Sequence, residues 1–148
     1  MIWRLTAATL VALVVVVGAS ARPAQDPGVT PATVLLGGTV PLTGEAAAFG
    51  SVGAGAEAYF DYVNQTTRVH GRTISYTFYD DAYNPAQTVQ LTRKLVEEDR
   101  VFAVFNTVGT SNSLAVREYL NVRKVPQLFA ADGSQAIGKG FALSLIHI

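Results

Sequence analysis

The residues of this chain best suited to hold a ligand are small and hydroxylic: the run Gly109-Thr110-Ser111-Asn112-Ser113. It lies between an apolar stretch and a helical pattern, where the first amides of a helix lack partners within the helix and the dipole is positive. Amides and hydroxyls converging there would hold an anionic group such as a carboxylate. The run also supports a blander role in which Ser111 or Ser113 only caps the helix. The two roles are compatible, because one hydroxyl can cap while its neighbour binds. A second candidate is Asp80-Asp81 at the end of a strand pattern. Paired carboxylates can hold a metal or serve phosphoryl transfer, but no further carboxylate or histidine clusters with them to complete a ligand set. Turn formation and packing are therefore their expected role.

Arrangements that would make an enzyme are missing. Gly50, Gly53 and Gly55 are spaced GxxGxG inside a helical pattern, not GxGxxG between strand and helix, and there is neither a Walker loop nor a GxSxG elbow. The two histidines fall in a turn (His70) and at the tail (His147), away from strand ends where a base would serve. Zero cysteines remove disulfides, thiolate nucleophiles and thiolate metal sites together. Asn64-Gln65-Thr66 matches a glycosylation acceptor, a pattern too short to carry weight. No catalytic residue, cofactor or metal is expected.

The elements that would position these residues alternate. An apolar run over residues 34–42, stopped by Thr43-Gly44, reads as a buried strand. Val52, Ala56, Tyr59, Phe60 and Val63 recur at helical spacing over residues 50–64. Ile74, Tyr76 and Phe78 alternate with Ser75, Thr77 and Tyr79 in a second strand over 73–79. Asn84-Pro85-Ala86-Gln87 then supplies an N-cap, a proline at the first helical position and a glutamine at the third, a capping box opening a helix to about Asp99. A short apolar strand over 101–105, a helix to about Asn121 and a strand over 127–130 complete a βαβαβαβ order. Such an order implies an α/β fold with a mainly parallel sheet flanked by helices, whose ligands bind beyond the carboxyl ends of the strands. Four loops are thereby nominated: residues 41–50, 80–84, 106–113 and 131–134.

Composition agrees with a folded, exported domain. The 148 residues are 49% hydrophobic and 15% charged, enough for a core. Lys plus Arg and Asp plus Glu number 11 each, so no excess charge draws phosphate polymers, and nucleic acid is not an expected partner. A cationic start ending at Arg4, an apolar run over residues 10–17 and the triplet Ala19-Ser20-Ala21 read as a Sec signal peptide over residues 1–21. An uncleaved membrane anchor is the competing reading, although the uncharged stretch is at the short limit for a bilayer. A lipoprotein is not expected without a cysteine to acylate. Residues 22–33 then read as a flexible leader.

In order and spacing, the chain resembles the N-terminal lobe of the branched-chain amino-acid-binding family, the Leu/Ile/Val-binding-like type I solute-binding proteins of ABC importers. The likeness spans residues 34–134. It is carried by Pro41-Leu42-Thr43-Gly44, Phe49-Gly50, Gly71-Arg72, Tyr79-Asp80-Asp81-Ala82 with Asn84-Pro85, Gly109-Thr110-Ser111 and Val125-Pro126. The resemblance implies a three-layer, incomplete N-terminal lobe of a type I periplasmic binding protein, in a protein whose two lobes close on a small ligand. Position by position, it implies that Thr110, with Ser111 beside it, takes the place of a serine contacting an amino-acid carboxylate. Ala131 falls where a backbone carbonyl meets the ligand ammonium. Gly133 through its amide, or Ser134, falls near a threonine contact, and Phe49 replaces an aromatic lining the cleft. The family's acidic partner for the ammonium belongs to the second lobe, so the ligand stays open among amino acids, amides and aromatic acids. Phe49 with Val108 would suit an apolar ligand body. Thr67-Arg68 stands where the family commonly has two glycines.

The resemblance thus implies a protein, working in the periplasm, that captures a small solute and presents it to an ABC permease in the inner membrane, performing no chemistry. A ligand-sensing receptor domain of the same fold is the alternative, distinguished by a transmembrane kinase or cyclase region rather than permease genes alongside. An exported enzyme is a third reading. Residues 34–140 are assigned to the lobe, whereas residues 141–148 depart from the family's continuation and suggest truncation or a sequence artefact. Four strands without the returning segments of the lobe would leave a sheet edge and apolar helix faces uncovered.

Overall fold

The fold is seen in a computed structural model that describes residues 26–134 and 143–145. The expected signal peptide, residues 1–21, lies outside the described residues. Among the described residues five strands and three helices follow in order: β1 (Thr33–Val40), α1 (Ser51–Thr66) after a 3₁₀ turn (Ala47–Gly50), β2 (Thr73–Asp80), α2 (Pro85–Glu97), β3 (Ala103–Phe105), α3 (Thr110–Arg123), β4 (Gln127–Leu128) and β5 (Ser144–Leu145). They form one sheet in the order β2-β1-β3-β4-β5, every pairing parallel. The chain leaves β1 for β2 on one side and returns to β3 on the other. The carboxyl ends of β1 and β3 therefore diverge into the crevice where open α/β sheets bind ligands.

Alternation along the strands divides the core between the two faces. Val104 of β3 packs with Leu95 of α2, Val116 and Leu120 of α3, and Val101 and Val125. Its neighbour Ala103 points the other way, to Leu36 of β1 and Phe60 of α1. Leu95 and Leu120 are fully buried, each stabilising the fold by about 1.5–3 kcal/mol. Adjacent glycines in β1 admit close neighbours on both faces: a Cβ on Gly37 would meet the Leu95 and Val101 side chains, and one on Gly38 the Tyr76 hydroxyl and Phe105 carbonyl. Phe60, Tyr76 and Phe105 meet edge to face beside them, with centroids 5.2–6.0 Å apart.

The structure amends several sequence expectations. Asn84 caps α2 as expected, its Oδ1 accepting from Ala86 N at 2.9 Å and Gln87 N at 3.4 Å. The reciprocal half of the box is replaced, because Asn84 N donates to the Asp81 carbonyl at 2.8 Å. β4 stops at Leu128, since Phe129 turns to φ 50°, and pairing resumes beyond it as the bridge Val108–Ala131. Ser144–Leu145 adds a fifth strand from the segment expected to be atypical. Within the expected leader, Leu35 N donates to the Gly28 carbonyl at 2.7 Å and the Arg72 guanidinium to the Thr30 carbonyl at 2.9 Å, tying that segment to β1 and β2. Among the described residues no helix is long and apolar enough to cross a membrane.

Candidate functional site

The loop after β1 is held by the end of β2. Asp80 Oδ1 accepts from Leu42 N at 2.8 Å, Thr43 N at 3.2 Å and Ala82 N at 2.9 Å, while Oδ2 accepts from the Thr43 hydroxyl at 2.6 Å. The Thr43 hydroxyl, with help from the three amides and against partial desolvation, pulls the Asp80 carboxyl below the ordinary aspartate value. This clamp sets the course of the loop towards the 3₁₀ turn, from which Phe49 stands 58% exposed.

Asp81 works inside the fold. It is fully buried, and its Oδ2 accepts from the Thr88 hydroxyl at 2.8 Å and the Asn112 amide at 3.3 Å, its Oδ1 from Tyr83 N at 3.0 Å. Asn112 Nδ2 also donates to the Val108 carbonyl at 3.0 Å. One carboxylate thus joins the β2–α2 loop, the first turns of α2 and the start of α3. The turn and packing role expected for Asp80-Asp81 is what these bonds perform. Among the described residues no group of three His, Cys, Asp or Glu side chains could hold a metal.

The start of α3 is open. Its N-cap is Gly109 at φ 98°, and no side chain caps it. The serine capping considered above is absent: Ser111 is exposed, and Ser113 is buried with its hydroxyl directed to the Thr107 carbonyl at 3.4 Å. Gly109 N donates to the Ala131 carbonyl at 3.0 Å, leaving that oxygen a second lone pair. The amides of Thr110, Ser111 and Asn112 and the Thr110 hydroxyl have no acceptor among the described residues. These are the groups a helix start offers an anion.

A cleft of about 490 Å³ opens there, and all four nominated loops line it. Phe49 comes from the first, with Val52 behind it on α1; Tyr83 from the second; Val108, Gly109 and Thr110 from the third; Ala131, Asp132 and Gly133 from the fourth. Four of the six residues assigned to ligand contact from the sequence, Phe49, Thr110, Ala131 and Gly133, are brought to one cavity, together with Val108 and Gly109. Ser111 stands beside it on α3, and Ser134 lies just past the lining, its amide donating to Asp132 Oδ1 at 2.6 Å. Sequence reasoning missed Val52, Tyr83 and Asp132, although the last two sit in nominated loops. The cleft therefore has an electropositive helix end, one acidic side chain and an aromatic and aliphatic wall. A second cleft, of about 510 Å³, lies at the amino ends of the strands, lined by Thr33, Leu35, Ser75, Asp99 and Arg100 among others.

A family model described as periplasmic binding protein matches residues 33–145. The chain belongs to the periplasmic binding protein family. The match runs into the tail segment as far as β5. No curated protein sequence matches the chain. Among solved periplasmic binding proteins and their relatives, it is similar to a possible leucine/isoleucine/valine-binding protein from Rhodopirellula baltica, at 24% identity and TM-score 0.73 over 85% of this chain and 33% of that one. A branched-chain amino acid transporter substrate binding protein from Streptococcus pneumoniae, in complex with isoleucine, is similar at 23% identity and TM-score 0.71, over 77% of this chain and 33% of that one. A solute binding protein of an ABC transporter from Rhodopseudomonas palustris, in complex with 3,4-dihydroxy benzoic acid, matches at 28% identity and TM-score 0.61, over 69% and 28% respectively. The chain spans about a third of the length of these proteins. The family is one of extracytoplasmic ligand-binding proteins rather than enzymes, and the three-layer parallel α/β architecture is shared with these neighbours.

Proposed function

We propose that this chain forms one wall of the ligand site of a substrate-binding protein serving an ABC importer, and that the site takes a small carboxylate solute, an amino acid or an aromatic acid. The observation that carries the reading is the uncapped start of α3: three amides and the Thr110 hydroxyl without acceptors among the described residues, beside a cleft lined from all four strand-end loops. The ligands named for two neighbours, isoleucine and 3,4-dihydroxy benzoic acid, share a carboxylate and differ in the body behind it. Thr110, with Ser111 beside it, receives the carboxylate. The Ala131 carbonyl and Asp132 face an ammonium where the ligand has one, Gly133 and Ser134 border the polar end, and Phe49 with Val108 packs the body. Residues 1–21 direct export to the periplasm without lipidation, and an inner-membrane permease receives the ligand unchanged.

Thermal unfolding of the complete gene product against amino acids, amides and aromatic acids tests the reading. A true ligand at a hundred times its Kd raises stability by about 2.7 kcal/mol, and mass spectrometry recovers it unaltered. Stabilisation by no carboxylate in the panel, or conversion of the ligand, overturns it.

A further inference from the structure

We infer that Tyr83 is a specificity-determining residue of the cleft: its ring meets the body of the bound carboxylate and favours flat aromatic bodies over branched aliphatic ones. The inference rests on the carboxylate reading of the α3 start and goes beyond it to the ligand body. Tyr83 lines the same cleft as Thr110, and its ring lies on the residue just before Thr110. A Cβ on Gly109 would stand 2.6 Å from Tyr83 Cε2, 2.9 Å from Cζ and 3.0 Å from the hydroxyl oxygen. A group held by the amides of Thr110 and Ser111 must therefore project its body past this ring.

The backbone that carries the ring is itself held in place. Ala82 and Tyr83 both adopt left-handed conformations, at φ 48° and 60°, which L-residues take only when the surroundings impose them. What imposes them is the buried Asp81 carboxylate, which accepts from Tyr83 N and from Asn112 in the first turn of α3. Tyr83 and the helix start are consequently fixed to one another. Tyr83 remains 38% exposed, and Phe49 on the same cleft 58%. Two large aromatic side chains left partly uncovered beside an anion-binding helix end suit an aromatic body, which adds ring–ring attraction to area burial.

Calorimetric titration of the complete protein with 4-hydroxybenzoate and with leucine tests this. The wild type is expected to prefer 4-hydroxybenzoate. Tyr83→Leu is expected to weaken 4-hydroxybenzoate by about tenfold while leaving leucine within about threefold, and Tyr83→Phe to retain the preference. Equal losses for both probes, or none, in Tyr83→Leu overturn the inference and leave the carboxylate reading standing. A wild type that binds leucine and not 4-hydroxybenzoate does the same. Binding of neither probe overturns the inference, whereas the carboxylate reading falls only when no carboxylate of the wider panel stabilises the protein. Tyr83→Phe removes a single oxygen, so it keeps the comparison available if the leucine variant fails to fold.

Discussion

The side-chain amide of Asn112 donates to Asp81 Oδ2 at 3.3 Å in a fully buried contact between the end of β2 and the first turn of α3. Through it, the loop carrying Tyr83 and the helix start carrying Thr110 share one anchor. Asn112→Ala removes a donor from a buried carboxylate and another from the Val108 carbonyl, and is expected to cost about 1–3 kcal/mol. Loss of the buried, unpartnered Asn112 Oδ1 offsets part of that cost. Urea unfolding of the variant beside wild type checks the value.

Gly109 is fixed by its own backbone and by its neighbour. At φ 98° a side chain is strained, and any Cβ meets the Tyr83 ring. Gly109→Ala is therefore expected to destabilise by about 1–3 kcal/mol. It should also shift Tyr83, read as a change in tyrosine near-ultraviolet circular dichroism.

Asp80 makes stability depend on acidity. Its carboxyl is held below the ordinary value, first by the Thr43 hydroxyl, so the folded state binds its proton less readily than the unfolded chain. The contribution is fully present above the unfolded value of about 3.9 and is lost as pH falls through the lower folded value. The stability difference between wild type and Asp80→Ala is expected to be level from pH 7 to about 5 and to shrink below about 4. The bonds lie near solvent, so the level difference is about 1 kcal/mol. Denaturant titrations at stepped pH measure it.

Thr110→Ala leaves the three amides in place and removes one hydroxyl donor to a charged group. Ligand affinity is expected to fall by about 1–3 kcal/mol, roughly five- to 150-fold, with Thr110→Ser close to wild type. Calorimetric titration with a ligand found in the thermal panel checks both variants.

Much of this architecture was legible because its signals are periodic. Ile74, Tyr76 and Phe78 alternate as β2 requires, and Val52, Ala56, Phe60 and Val63 mark the inner side of α1, whereas Tyr59, read with them from the same spacing, is 63% exposed. Strand-to-helix order alone nominated the four loops. Other features depend on contacts distant in sequence. The cap of α3 fell to Gly109 because Ser113 turns inward to Thr107, a choice composition does not encode. β5 consists of Ser144 and Leu145 against Gln127 and Leu128, too short for any pattern. Tyr83 carried no signal of its own within the nominated loop over residues 80–84, and only the left-handed pair Ala82-Tyr83 and the buried Asp81 bring its ring to Gly109.

The central claim is that the open start of α3 receives the ligand's carboxylate, and the amide resonances of the protein test it most directly. On titration with a ligand that raises the melting temperature, the N–H signals of Thr110, Ser111 and Asn112 should move saturably, with the same Kd that calorimetry gives. A ligand that binds while those three signals stay still, and that instead moves residues of the cleft at Thr33 and Arg100, would contradict it.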